Sequence, residues 1–320
     1  MEVDIIAVVA GNRHSLAIAA DGGLWEWGRS SVSSYPLRIM DDVIAASAGM
    51  EHSVALRADG SLWAWGGNGW GQIGDGTTES RPAPVKVFDE VVAVSAAGFA
   101  TMAIKSDGSL WAWGGPASRV GVGGWENQLV PTMVMENVVF VSAGGEHTMA
   151  IQADGSLWAW GGNDFGQLGN GRTSTASSAS RVRIMDNVAA VEAGSRHTMA
   201  IDVDGGLWAW GHNTVGVFGD GTTVSHNTPT QVNEGIVAVS SNFWHTMAIG
   251  IDGVLWGWGG NMGGVLKSFI PHIYKFTVTP QVQASVATPK KAFPSFYDTT
   301  EIWMEWLEMA QQQTVILVSG

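Results

Sequence analysis

Five histidines, His14, His52, His147, His197 and His245, are each followed by an aspartate and a pair of tryptophans, the second tryptophan at Trp27, Trp65, Trp160, Trp210 and Trp258. These are the residue types that could do chemistry. Imidazole is a general base or metal ligand near neutral pH, a carboxylate could orient it, and indole faces could stack on a base or sugar. In "GGEHTMAIQADGSLWAWGGNDFGQLGNG", Gly144 to Gly171, all three fall in one glycine-rich run. A catalytic base is wanted once, whereas this histidine recurs, with Ala100 in its place in one copy. A side chain repeated in that way is expected to hydrogen-bond neighbouring backbone. A metal would need several imidazoles to converge, and no carboxylate has regular ligand spacing beside them. "GDGTT" at Gly74 and Gly219 lacks the alternating acids of a calcium loop. No phosphate-binding loop, zinc motif, nucleophile elbow or kinase signature occurs. The chain is therefore read as no enzyme, with no catalytic residues, no metal and no cofactor.

The elements that carry these residues are repeats. Leu-Trp-x-Trp-Gly begins at Leu24, Leu62, Leu110, Leu157, Leu207 and Leu255, and twelve of the 17 tryptophans lie in these six strings. Asp-Gly precedes each, at Asp21, Asp59, Asp107, Asp154, Asp204 and Asp252, and between two short apolar runs it signals a tight hairpin that needs positive φ. "HTMAI", "ADG" and "SLWAWG" thus read as strand, turn, strand. A further apolar run lies upstream, as in "VVFVSAGG", and another downstream, as in "APVKVF". Four strands per unit predict an all-β fold, a closed β-propeller of four-stranded blades with six clear repeats. The tryptophans are then packing residues, since each blade must bury the same face.

The units resemble the regulator of chromosome condensation repeat, whose pattern is Gly-x-x-His-Thr/Ser, Asp-Gly-x-Leu/Val-Trp/Tyr-x-Trp-Gly and Asn-x-x-Gly-Gln-Leu-Gly. The likeness covers residues 3 to 264 and implies seven blades and, in general, a binding platform. The Trp-Ala-Trp-Gly-Gly-Asn style is similar to that of bacterial members, which implies an extracytoplasmic setting. Two units depart from the pattern. The first replaces the Gly-Gln-Leu-Gly loop with Arg29 to Tyr35, and the third has "GPASRVGVGGWENQ", Gly115 to Gln128. The domain reading is a propeller over 1–264 and a divergent tail over 265–320, where glycine disappears until Gly320. The tail reads either as a degenerate seventh unit, with "FIPHIYKF" supplying the fourth strand of unit six, or as an amphipathic helix over "TTEIWMEWLEMAQQQ".

Composition bounds the partners. The 320 residues are 45% hydrophobic, enough for a buried core, and contain no cysteine, which removes disulfides and thiol chemistry. A net charge of −13 disfavours nucleic acid and anionic membranes and favours a basic protein partner. No apolar run approaches a membrane span, and "MEVDIIAVVAGNRHS" lacks a basic region followed by an apolar core, so no signal peptide is expected in this chain.

Recurrence explains packing, so binding is sought in what varies. The two positions before the histidine read Asn12-Arg13, Met50-Glu51, Gly98-Phe99, Gly145-Glu146, Ser195-Arg196 and Phe243-Trp244. Beside a strand end, they should ring one face. Phe243, Trp244, Arg196, Arg13 and Phe99, together with Trp125 outside the repeat register, are the expected partner-binding residues, being of the types that dominate interfaces. The expected function is a noncatalytic protein–protein interaction platform. The alternative implied by the resemblance is guanine-nucleotide exchange on a small GTPase, for which these compact units leave no room for an inserted wedge. Light sensing, which this repeat supports where Gly-Trp-Arg-His-Thr supplies tryptophans, is not expected here, because those tryptophans are absent.

Overall fold

The computed structural model describes residues 3–28, 33–122, 126–242, 244–260 and 276–277. They form six antiparallel four-stranded sheets in a β-propeller ring, each sheet built from four strands in chain order. The inner strands are Ile5–Ala10, Val43–Ala48, Val91–Ala97, Val138–Ala143, Val188–Ala193 and Ile236–Ser241. Each of the first five packs against its successor. The sixth sheet takes its fourth strand from Phe276–Thr277, which pairs with Val254 and Leu255, at the end of the "FIPHIYKF" run. The other residues of 265–320, with both readings of that tail, lie outside the described residues.

The Asp-Gly hairpins form as their chemistry dictates. Gly60 takes φ +79°, while Asp59 Oδ1 accepts from the Ser61 amide at 2.9 Å and Ser61 Oγ accepts from Trp63 Nε1 at 3.0 Å. The same arrangement recurs at Asp107, Ser109 and Trp111 and at Asp154, Ser156 and Trp158. In these three units the turn therefore satisfies the N–H of the first tryptophan in the string. The second tryptophan points across to the preceding blade.

That crossing sets where the core lies. Each apolar cluster straddles one junction between successive blades. Trp65 lies with Leu16, Ile18 and Leu24 of blade one, Trp113 with Val54, Leu56 and Leu62 of blade two, and Trp160, Trp210 and Trp258 repeat the pattern. A blade cannot bury its own large face alone, so each neighbour completes it.

A polar latch accompanies each core. Thr101 Oγ1 of blade three donates to the Gln72 carbonyl of blade two at 2.8 Å, and Trp113 Nε1 donates to the same carbonyl at 3.0 Å. His52 Nε2 lies 2.9 Å from Thr101 Oγ1. A hydroxyl has one proton to give, so the imidazole must donate through Nε2. His147 reaches Thr198 at 2.8 Å, where Thr198 and Trp210 converge on the Gln167 carbonyl. His197 reaches Ser241 of blade six. His52, His147 and His197 thus reach the next blade's hydroxyl where repetition alone suggested backbone, and at His52 and His147 the hydroxyl itself claims the carbonyl. The glycines of the motif make room for this. A β-carbon at Gly49 would come within 2.3 Å of His52 Cε1, and one at Gly74 within 2.6 Å of Trp113 Nε1.

The two irregular units find other acceptors. In unit three the helix Ala117–Val120 presents the Arg119 carbonyl to Thr148 and Trp160. In unit one, which lacks the loop, a side chain takes over. Buried Glu26 stands where the other units have alanine or glycine. Its Oε2 accepts from Trp65 Nε1 at 2.8 Å and its Oε1 from Ser53 Oγ at 3.3 Å, while Ser53 meets His14 at 2.8 Å.

The junction between blades six and one differs from these five. Val43, Val91, Val138, Val188 and Ile236 open their inner strands at no more than 3% exposure, whereas Ile5 at the same register is 42% exposed. Trp27 is half-buried, while Trp65, Trp113, Trp160, Trp210 and Trp258 are buried. On the other side His245 is half-buried and lies 3.2 Å from Asn242 of its own blade. Among the described residues these faces lack the neighbour that covers their equivalents.

Stability should respond to pH in two windows. Burial pushes His147 down to about 3, with His197 and Arg119 adding to the effect, and His197 down to about 4. Folded values below 6.5 mean that the neutral rings stabilise fully above that pH and lose their contribution as pH falls toward about 4. Glu192, on the inner strand Val188–Ala193, is pushed up to about 8 by burial. Its folded value is raised, so its contribution is complete below about 4.5 and is lost as pH rises through about 8. Glu192→Gln should flatten the alkaline fall in melting temperature and leave the acid limb unchanged. A second test concerns the substitute latch. Glu26→Ala leaves the buried donors of Ser53 and Trp65 unmatched and should cost ~2 kcal/mol or more in denaturant melts, with Glu26→Gln costing less.

Candidate interaction face

The chain climbs the inner strand, descends the second and climbs the third, so two sets of loops meet at one end of the propeller. One set precedes each histidine, and the other is the Gly-Gln-Leu-Gly loop between third and fourth strands. Asp-Gly turns occupy the opposite end. Arg13, Phe99, Arg196 and Trp244 all stand on the loop face, on blades one, three, five and six. Phe243 and Trp125 lie outside the described residues.

These residues do not gather into one patch. Phe99, Arg196 and Trp244 each lie against the loop of the preceding blade. Phe99 stacks on Trp70, with centroids 5.6 Å apart and planes inclined by 24°. The Arg196 guanidinium sits 4.6 Å from the Phe165 ring centroid, and His212 meets the other side of Phe165 edge-on at 4.9 Å. Glu146 holds the corresponding place after blade three and faces Arg119 at 3.7 Å. After blade five, a β-carbon at Gly260 would meet Val215 Cβ at 3.4 Å and Trp244 Cβ at 3.5 Å, so these two residues lie near each other. Arg13, at the start of blade one, has no such loop before it among the described residues.

Trp70, Phe165, His212 and Val215 were missed by reading only the positions before the histidine. Trp70, Phe165 and Val215 occupy the variable place just before the glycine of the Asn-x-x-Gly-Gln loop, so variability inside a fixed motif was their signal. The motif is rigid where they stand. Asn68 Oδ1 accepts the Ile73 amide at 2.9 Å while its Nδ2 donates to the Thr77 and Glu79 carbonyls, and Gln72 Oε1 accepts the Trp70 amide. Asn163 and Gln167 repeat this around Phe165. Exposed Trp70 is therefore presented by a loop whose backbone is held from both sides.

The two ends differ electrostatically. On the turn face Arg38 pairs with Asp21 and Asp41, Arg57 with Asp42, Lys86 with Asp89, Lys105 with Glu90 and Arg183 with Asp186. On the loop face Arg81 pairs with Asp75, but Arg13, Arg172 and Arg196 make no ion pair among the described residues. Beside Phe165 opens a shallow cleft of about 310 Å³ lined by Thr173, Ser225, His226, Asn227 and Thr228. Among the described residues no three histidine, aspartate or glutamate side chains are grouped to hold a metal.

A family model described as the RCC1-like domain matches residues 31–291. Human WBSCR16 has a similar fold, with a TM-score of 0.75 at 20% identity over 88% of this chain and 83% of that one. Prp20p from Saccharomyces cerevisiae, described with its binding properties to Gsp1p and histones, gives 0.75 at 20% identity over 87% and 78%. A structure of yeast RCC1 (Prp20) bound by Kap60 gives 0.72 at 22% over 85% and 75%. At these identities the likeness is one of fold. A search of curated sequences returns no match.

Packing and presenting tryptophans should separate on substitution. Trp65 is buried at a junction, and Trp65→Ala should cost ~3 kcal/mol or more. Trp70 and Trp244 are 44% and 43% exposed. Their alanine variants should shift the melting temperature little, and thermal melts of the three proteins side by side provide the check.

Proposed function

We propose that this chain, which belongs to the RCC1-like domain family, is a noncatalytic platform that binds a protein partner through its loop face. One observation carries the reading. At successive junctions the contact between one blade's loop and the next is made by chemically different side chains, Trp70 with Phe99, Arg119 with Glu146, Phe165 with Arg196, and Val215 near Trp244. Side chains required for packing recur around this ring, whereas these vary while their backbone is held fixed. They are rich in tryptophan, phenylalanine and arginine, the types that anchor interfaces. Sequence alone pointed to Phe243, Trp244, Arg196, Arg13, Phe99 and Trp125, and the proposal extends that set to Trp70 and Phe165.

The fold neighbours support a protein as the ligand, since Prp20p is described with Gsp1p and histones and with Kap60. The net charge of −13 supports a partner that is basic overall. Guanine-nucleotide exchange on a small GTPase is the alternative drawn from the family. The short loops of the described blades favour simple binding.

Affinity capture from the source cell with the wild-type chain and with Trp70→Ala and Trp244→Ala provides the test. A specific partner should be retained by the wild type and lost, by about tenfold or more in affinity, from at least one variant whose melting temperature is unchanged. A partner held equally by both variants and by Arg196→Ala would place binding elsewhere. Accelerated nucleotide release from a small GTPase would favour exchange instead.

A further inference from the structure

Net charge says that a partner should be basic, yet one part of the loop face has the opposite local chemistry. Arg196 is exposed, and although Asp164 adjoins Phe165 in sequence, no carboxylate among the described residues lies within ion-pair distance of the guanidinium. On a chain with 29 acids against 16 bases, cations left without a carboxylate are the minority among the described residues, Arg13, Arg172 and Arg181 being the others. Arg38, Arg57, Arg81, Arg183, Lys86 and Lys105 all have one.

Arg196 is nevertheless held in place. Its guanidinium lies 4.6 Å from the Phe165 centroid, an arrangement stabilised by the ring quadrupole. A guanidinium held in this way keeps its N–H donors in a fixed fork. Phe165 is itself fixed, with His212 edge-on at 4.9 Å and its amide donating to Gln167 Oε1 at 2.9 Å. The same phenylalanine forms one wall of the cleft whose other sides are Thr173, Ser225, His226, Asn227 and Thr228. His226 is stacked on Phe218 at 6.0 Å, and the Asn227 carbonyl accepts the Gly171 amide at 2.8 Å, so these walls are anchored too. Arg172, exposed and also without an ion pair, precedes Thr173 of the cleft wall. His212 is pushed below its ordinary value, first by burial and then by the Arg196 charge, which is consistent with a positive local field.

We infer that the junction of blades four and five is a subsite for an acidic side chain of a polypeptide partner, with Arg196, stacked on Phe165, pairing with its carboxylate and the adjoining cleft taking neighbouring polar residues. The inference rests on the platform reading and deepens it. A partner basic overall would present one acidic residue here, which fixes its orientation. A planar two-pronged donor selects a carboxylate geometrically, because two parallel N–H groups match its two oxygens, and a guanidinium is more easily stripped of water than an ammonium. The occupant is a peptide segment because Thr173, Ser225, Asn227 and Thr228 offer hydroxyl and amide groups along a strand-length wall.

The test pans a phage-displayed random-peptide library on the immobilised full chain and measures the selected peptides, synthesised with a fluorophore, by anisotropy. Sequences enriched in aspartate or glutamate are expected, weakening as salt is raised. Arg196→Glu should reduce their affinity about tenfold or more. Arg196→Lys should recover only part, since it restores charge without the fork. Phe165→Ala should weaken binding at unchanged melting temperature, whereas Phe165→Tyr, which keeps the stacking ring, should not. Peptides without acidic enrichment, or acidic ones that bind Arg196→Glu as well as the wild type, would overturn the subsite. If those peptides instead lost affinity on Trp70→Ala or Trp244→Ala, the platform reading would stand alone. Failure to select any peptide would count against both.

Discussion

The hydrogen bond between a loop carbonyl of one blade and the hydroxyl and indole N–H of the next is the interaction on which the rest of the structure depends. A blade is a small twisted sheet that cannot bury its own large face, so blades must associate. Apolar contact drives association without setting register. The latch supplies the register. With the Gln72 carbonyl engaged by both Thr101 and Trp113 and the hydroxyl also engaged by His52, only one alignment of blade three on blade two lets these groups all meet. The price of leaving any of them unmatched explains why the pattern recurs so faithfully. It also explains the substitution in unit one. Where the loop is missing, the Glu26 carboxylate reaches the same two donors from the strand itself, so the acceptor is retained while its chemical origin changes.

The latch also settles what the loops can do. Each loop must hold its carbonyl still, so Asn68 and Gln72, or Asn163 and Gln167, tie its backbone from inside. The residue between them is then presented on a rigid base and is free to vary. Preorganisation of this kind lowers the ordering cost of any binding, so the demand that closes the junctions also presents the varied side chains on a fixed base. The turn face follows other rules. Its aspartates terminate hairpins, and its cations are neutralised by neighbouring acids. The propeller thus has one end whose charges are internally matched and one end with exposed rings and unmatched guanidinium groups.

Departures from the repeat are where its physics can be read most directly. Trp27 and His245 differ from their equivalents in exposure or partner while keeping the same residue type. Identical side chains thus acquire different environments from the presence or absence of a neighbouring blade. Ala100 shows the converse. Lacking the imidazole, blade three still locks blade four, because Thr148 and Trp160 both reach the Arg119 carbonyl. The histidine strengthens the latch and the carbonyl defines it.

By itself the sequence determined the blade. Asp-Gly demands positive φ, Leu-Trp-x-Trp-Gly sends successive side chains to opposite faces of a strand with a period of two, and six copies at near-even spacing leave a propeller as the economical solution. It also determined that the recurring histidines are structural, because a reactive group is not wanted five times. Their true partner was hidden, since the hydroxyl that meets His52 lies 49 residues away at Thr101 and only packing brings one blade's second strand against the next. For the same reason the chain text marked Arg196 and Phe99 as variable but could not pair them with Phe165 and Trp70. Those pairs form between a loop of one blade and a loop of the following one, a proximity created by the ring and not by any local pattern. Charge behaves likewise. Composition establishes an acidic protein, whereas which cations are left unmatched, and at which end, was decided by the tertiary structure, because ion pairing depends on distances that the linear order does not contain.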